Sequence, residues 1–448
     1  MEQARSDERS RVAGREDAVL VSRSRAVPDV SFRAVLAQQG SPRVHWTAPD
    51  GLEIVGSGAA TRLRAGGPDR FDQLRAGAAD IFADADTPDD EARPRLFGGL
   101  AFADDHEPAP PWEGFPAAEF VLPAIQVTRT EAGTRLTVSA YDADTDLAAV
   151  EERLDAVHDD LASLPMLSPA GDPPGVLASE RTTTEAEWTA QVESAVERIA
   201  EGDLQKVVLA VALAVTLEQP VTVPDVLERL RRSYPDCYRF LVEPTAEAGF
   251  FGAPPERLVR LDDRHVQTEA LAGSVPRGDT PEEDARHARS LLESEKLQHE
   301  QGLVADTIAE QLAPFGAVST GSQRVRKLAT IQHLATPITA DLDADEHVLS
   351  IVEALHPTPA VGGLPPATAL EVIRETESFE RGWYASPVGW FDADGDGEFA
   401  VGIRSAVAGG RRATLFAGNG IVGDSDPAEE WDEIHLKYRP ILDELESR

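Results

Sequence analysis

The stretch Gly202-Asp203-Leu204-Gln205-Lys206-Val207-Val208-Leu209, continuing as Ala210-Val211-Ala212-Leu213-Ala214-Val215-Thr216-Leu217, decides the fold class. From Gln205 to Leu217 it is an apolar run rich in β-branched valine, which reads as a strand buried on both faces. Upstream, Thr184 and Glu187 match a capping box, and Trp188, Val192, Ala195, Val196 and Ile199 share one helical face. Gly202 then ends that helix. An amphipathic helix feeding a buried strand predicts a core of mixed α and β.

Working outward, residues 1–25 are charged and without periodicity, and read as a flexible tail. Residues 26–160 carry Gly-Gly and Pro punctuation around apolar runs such as Phe97–Phe102 and Phe120–Pro123, the pattern of an N-terminal α/β half. Residues 161–180, rich in Ser, Pro and Gly, read as a linker to a C-terminal half at 181–448. There the pattern predicts one long helix from about Pro281 to Leu312 and a final helix opened by Ser425-Asp426-Pro427. No internal repeat of solenoid period occurs.

Composition narrows the function. The 448 residues hold 79 acidic and 42 basic side chains, a net charge of −37. So negative a chain repels nucleic acid instead of binding it. The run Val207–Leu217 falls well short of the ~20 residues of a membrane span, and the N-terminus shows no hydrophobic signal core. One cysteine, Cys237, rules out an internal disulfide framework and makes the cytoplasm the expected compartment. Only Lys206, Lys296, Lys327 and Lys437 are lysines. With the carboxylate excess, that depletion resembles a protein adapted to high salt. It also singles out each lysine as a place where arginine, which cannot give up its proton, would fail.

Two motifs mislead. Gly418-Asn419-Gly420-Ile421-Val422-Gly423 matches G-x-G-x-x-G between a strand and a helix, but the 25 residues that follow hold neither a further βαβ strand nor a ribose-binding acid. Asp392-Ala393-Asp394-Gly395-Asp396-Gly397 opens like a calcium loop, yet Ile403 stands at its twelfth position; a hairpin turn is the expectation.

Four other segments, in order, resemble the chorismate-utilising enzymes, the family of isochorismate, anthranilate, salicylate and aminodeoxychorismate synthases. Gly202–Leu209 is similar to the family strand whose lysine activates water. Gly252-Ala253-Pro254-Pro255-Glu256-Arg257-Leu258 resembles G-x-S-P-E-x-L, with Pro254 in place of serine. Thr268-Glu269-Ala270-Leu271-Ala272-Gly273-Ser274 resembles P-[IL]-[AK]-G-T. Ser294-Glu295-Lys296 with His299-Glu300 resembles S-[DE]-K-x-x-x-E-H, Gln301 replacing the histidine, and Glu430, Glu433 and Lys437 match a C-terminal E-x-x-E-x-x-x-K helix. The match runs from about residue 185 to 445, and it departs from the family also at Val211 and at Ser386, where glycine is usual.

The resemblance implies an α+β fold of mixed, largely antiparallel sheets wrapped by helices, with both halves in one intimate architecture. It implies Lys206 as the base for water and Glu256 as the general acid. It makes Glu300 and Glu433, with Glu430 nearby, ligands of Mg2+, a hard cation suited to carboxylates, waters and substrate oxygens. Substrate contacts fall to Gly273, Ser274, His333, Ala360, Tyr384, Arg404, Gly418, Gly420 and Lys437. Arg404 and Tyr384 are expected at chorismate's pyruvyl carboxylate, with the bare backbone of Gly418 and Gly420 approaching the same group. Ala272 stands where aminodeoxychorismate enzymes place a nucleophilic lysine, so water is the expected attacker. His356-Pro357-Thr358-Pro359-Ala360-Val361-Gly362-Gly363 carries Ala360 where anthranilate and salicylate synthases usually have threonine. The expectation is therefore an isochorismate synthase, an isomerase feeding menaquinone or siderophore synthesis, with no obligatory protein partner and monomeric. Salicylate synthase, anthranilate synthase and a non-catalytic chorismate-binding protein are the rivals.

Overall fold

A computed structural model describes residues 18–88, 91–166, 169–329 and 331–447, without the side chains of Ser274 and Lys296. Among these residues two large antiparallel sheets form, of twelve and ten strands. Both draw on both halves of the chain. In the first sheet Arg43–Thr47 pairs with Arg239–Thr245, and in the second Leu96–Leu100 pairs with Pro387–Phe391. The core is continuous across those junctions, and its aromatic centre, including Trp46, Trp112 and Trp383, joins the halves. The α+β architecture with interleaved halves therefore holds.

Lys206–Leu217 is an inner strand of the larger sheet, paired along its length with Arg412–Ile421. Helix Glu185–Glu201 leads into it, with the Thr184/Glu187 capping box formed and Gly202 left-handed at its end. The final helix, Pro427–Leu442, is capped by Asp426 and packs on Arg412–Ile421.

Three expectations change. Val19–Val27 is a strand paired with Gly133–Asp142, so the expected tail does not reach to residue 25; residues 1–17 lie outside the described residues. The strand's arginines misled: Arg23 and Arg25 meet Asp86 and Asp155 at the surface while Leu20 and Val21 are buried. The end of the expected linker, Val176–Arg181, is likewise a strand, paired with the Lys206 strand. The single helix over 281–312 is two, Pro281–Glu293 and Glu295–Leu312. Ser294 breaks it with extended backbone (φ −78°, ψ 108°), and its hydroxyl accepts from Leu297 N–H to start the second helix. The Asp392–Gly397 segment is the turn of a hairpin between Pro387–Phe391 and Gly397–Val401.

Candidate active site

Lys206 opens its strand almost fully buried, 6% exposed, and its Nζ donates to Glu300 Oε1 at 2.6 Å. Glu300 comes from helix Glu295–Leu312. Space for the lysine comes from across the ladder: a Cβ on Gly420 would sit 2.6 Å from Lys206 Cε. The sequence assigned Gly420 to carboxylate approach; what its missing side chain provides here is a path for Lys206.

Glu256 follows strand Ala248–Gly252 in a turn tied by Tyr238 N–H to Pro254 O (2.9 Å) and Val401 N–H to Glu256 O (3.2 Å). Proline in place of serine thus leaves the turn bonded. Burial pushes the Glu256 carboxyl up to about 7, against the pull of Arg404 and Lys206. It is held as an acid near neutrality, the state a proton donor needs.

Arg404 has a left-handed backbone (φ 50°), a strained conformation for a non-glycine residue. Its guanidinium makes no side-chain hydrogen bond or ion pair within the described residues. An unpartnered fork suits a carboxylate ligand. Tyr384 stacks on Phe416 with ring centroids 5.2 Å apart, and Phe416 stacks in turn on Trp112. Gly382 (φ 52°) must be glycine, since a Cβ there would lie 2.3 Å from the Trp112 ring. An N-terminal tryptophan thereby props the wall carrying Tyr384. His333 is neutral, driven down to about 3 by burial and then by Arg404 and Lys437. Its Nε2 is buried without a hydrogen-bond partner among the described residues.

Acids crowd the far wall. Glu430 accepts from Asn419 Nδ2 at 3.0 Å, and burial followed by the Glu433 charge raises its carboxyl. Glu433 pairs with Lys437 at 2.9 Å, and Lys437 Nζ also donates to Gly418 O at 2.9 Å and to Asn419 Oδ1.

One cavity of about 310 Å³ collects these groups. Lys206, Glu256, Gly273, Glu300, His333, Ala360, Tyr384, Arg404, Gly418, Gly420, Glu430, Glu433 and Lys437 all line it. The Ser274 side chain lies outside the described residues; its backbone pairs with His333. Glu429, also in the lining, was not singled out because it stands outside the E-x-x-E spacing. The departures from the family pattern are accommodated. Gln301 Nε2 donates to Ala270 O (2.7 Å) and Thr336 Oγ1 (3.0 Å), and Val211 O accepts from Tyr438 OH (2.8 Å). Ser386 is buried with its hydroxyl unpartnered among the described residues, and nothing in the structure explains it.

The family described as chorismate binding enzyme matches residues 7–446. The chain belongs to the chorismate-binding enzyme family. Within it, the chain is 34% identical to the isochorismate synthase MenF of Bacillus subtilis, over 96% of this chain and 94% of that one. It is 36% identical to the salicylate biosynthesis isochorismate synthase of Pseudomonas aeruginosa, over 90% and 85%. Among solved structures it superposes on the menaquinone-specific isochorismate synthase MenF of Escherichia coli with a TM-score of 0.82, at 27% identity and covering 98% and 97% of the two chains.

For a chorismate-binding enzyme the charge balance of the cavity has a consequence. Lys206, Lys437 and Arg404 face the carboxylates of Glu300, Glu429, Glu430 and Glu433. A dianionic ligand meets net repulsion there unless a cation joins it. Among the described residues, the group of three acidic side chains with carboxylate oxygens all within 4.8 Å is instead Asp392, Asp394 and Asp396 at the hairpin turn. Glu300, Glu430 and Glu433 do not form such a group, and each has its own basic or amide partner. Their oxygens nonetheless form the donor set that fits magnesium, which keeps several waters and needs few protein carboxylates.

Proposed function

We propose that this protein is an isochorismate synthase, interconverting chorismate and isochorismate by addition of water at C2 and loss of the C4 hydroxyl. One observation carries the reading: Lys206 and a Glu256 held protonated near neutrality open into the same cavity. Lys206, acting as the neutral amine, takes a proton from water as it attacks C2, and Glu256 gives one to the C4 hydroxyl, which leaves as water while the ring double bonds shift. Positioned acid and base groups of this kind contribute typically ~10²–10⁴-fold each. The Ala272 methyl in the cavity wall offers no side-chain nucleophile to compete with water.

Arg404 and Tyr384 take the pyruvyl carboxylate, the guanidinium through its unpartnered fork. His333 presents its neutral ring to the ligand, and Lys437 orients Glu433 through their ion pair. Glu300 and Glu433, with Glu430 beside them, would hold magnesium, which when bound supplies positive charge to the ring carboxylate as electron density moves toward it. Chorismate is the small-molecule partner, and the relatives' names favour isochorismate destined for menaquinone or salicylate-type products. A cytoplasmic, high-salt setting accords with the single buried Cys237 and the charge of −37.

Turnover in H₂¹⁸O tests the chemistry. One ¹⁸O at the C2 hydroxyl of isochorismate is expected. Unlabelled isochorismate would mean that the hydroxyl migrates within the substrate, and salicylate with equimolar pyruvate would mean that elimination follows.

A further inference from the structure

Behind the cavity lies a buried ion pair that the motifs did not single out. Glu377, just after helix Pro366–Thr376, and Arg381 have side chains 4% and 3% exposed. Arg381 Nε donates to Glu377 Oε2 at 2.8 Å, and Nη2 reaches the other carboxylate oxygen. The remaining donors go to the main chain: Nη1 to Val361 O at 2.9 Å and Nη2 to Val208 O at 2.7 Å. Glu377 Oε1 in turn accepts from Ala210 N–H at 2.8 Å.

These contacts fall at a gap in the sheet. On one edge the strand Lys206–Leu217 is fully laddered to Arg412–Ile421. Its other edge is paired at Lys206 and Val207 with Gly363–Leu364, and again from Leu213 with Val176–Arg181. Between those two pairings no strand among the described residues covers Val208 to Ala212. Val208 N–H reaches Gly362 O and Ala212 turns to Thr182, while the Glu377–Arg381 pair takes Val208 O and Ala210 N–H. A side-chain pair thus stands in for the missing strand two and four residues beyond Lys206. The same guanidinium holds Val361, next to Ala360, and Arg381 O accepts from Tyr384 N–H at 2.9 Å.

Two charges removed from water cost more than neutral groups bonding the same edge, so the pair is weak evidence for stability by itself. What it does supply is direction: a planar fork fixed by a carboxylate can serve two carbonyls at set angles, and an ammonium cannot. We propose that Glu377 and Arg381 are positioning residues, which set where Lys206 enters the cavity and hold the Ala360 and Tyr384 walls in register with it. The inference deepens the isochorismate synthase reading and rests on it.

The test compares Glu377→Gln, Arg381→Lys, Arg381→Met and the double variant Glu377→Gln/Arg381→Met, which leaves no lone buried charge. Chorismate turnover, KM and the folded fraction by circular dichroism are measured in one high-salt buffer. A misplacement of about 1 Å costs ~10²-fold in rate, so kcat of the folded double variant should fall ~10–100-fold. KM should move less than about 3-fold, and Arg381→Lys should fall between wild type and Arg381→Met. Full kcat in the double variant overturns the proposal. So does a loss that only matches the loss of folded protein. Lys206→Ala, run alongside, separates the two levels: wild-type turnover there sinks the site reading itself, whereas an inactive Lys206→Ala with a fully active double variant sinks only the positioning role.

Discussion

Replacing Glu256 with glutamine should raise stability while removing turnover. Glu256 is 7% exposed, and burial lifts its carboxyl from 4.5 to about 7 in the folded protein, with Arg404 and Lys206 opposing the rise. An acid with a folded value above its unfolded one holds its proton more tightly when folded. Its contribution to stability is therefore greatest below pH 4.5, declines through the interval and is fully lost above about 7. At about 1.36 kcal/mol per pKa unit the loss comes to about 3 kcal/mol. Glutamine has nearly the same shape and no proton to lose, so it escapes this cost. Unfolding entropy grows with chain length, which makes 1 kcal/mol worth roughly 1 °C in a chain of this size. At pH 8 Glu256→Gln should melt about 3 °C above wild type, and at pH 5 by about 1 °C or less. Scanning calorimetry across that range at fixed salt reads the difference, and chromatography of chorismate mixtures reads turnover, expected to drop ~10²–10⁴-fold. Wild-type kcat/KM should also fall as pH rises past about 7, where the acid is lost. A melting difference independent of pH, or a variant that melts below wild type at pH 8, would refute the reasoning.

Other substitutions probe the rest of the site. Lys206→Ala should lower kcat by ~10²–10⁴-fold with chorismate affinity, read by calorimetric titration, changed far less. Gly420→Ala puts a methyl against Lys206 Cε, a flexible chain end that can give way. It should keep the melting temperature within a few degrees yet cut kcat by roughly 10-fold or more, and an unchanged rate would show that the lysine's path does not matter. Arg404→Lys loses the planar fork and should cost about 2 kcal/mol in kcat/KM, a ~30-fold drop seen mainly in KM.

The sequence shows chemistry best where it coincides with punctuation. Lys206 follows the helix-ending Gly202 and opens an apolar strand, Glu256 sits in a Pro-Pro turn, and Glu430, Glu433 and Lys437 repeat at helical spacing, so local pattern and motif point the same way. The strand Val19–Val27 hid behind arginines that the fold places at the surface. Ser294 stood out as the head of a motif but not as a helix break, because nothing local says that its hydroxyl will cap a new helix there. Gly420 was legible as a special glycine but not as the gap beside Lys206, since the two meet only through strand pairing. Nothing local to Glu377 and Arg381 marks them as a buried pair; their burial depends on the open edge of a strand some 170 residues earlier, with Val208 and Arg381 separated by 173 positions.

The most direct measurement is to incubate the purified protein with chorismate and magnesium in molar salt and separate the products by chromatography. The expected result is an equilibrium mixture of chorismate and isochorismate, reached from either side and abolished by a chelator. Salicylate with stoichiometric pyruvate, or no conversion at any salt concentration, would contradict it.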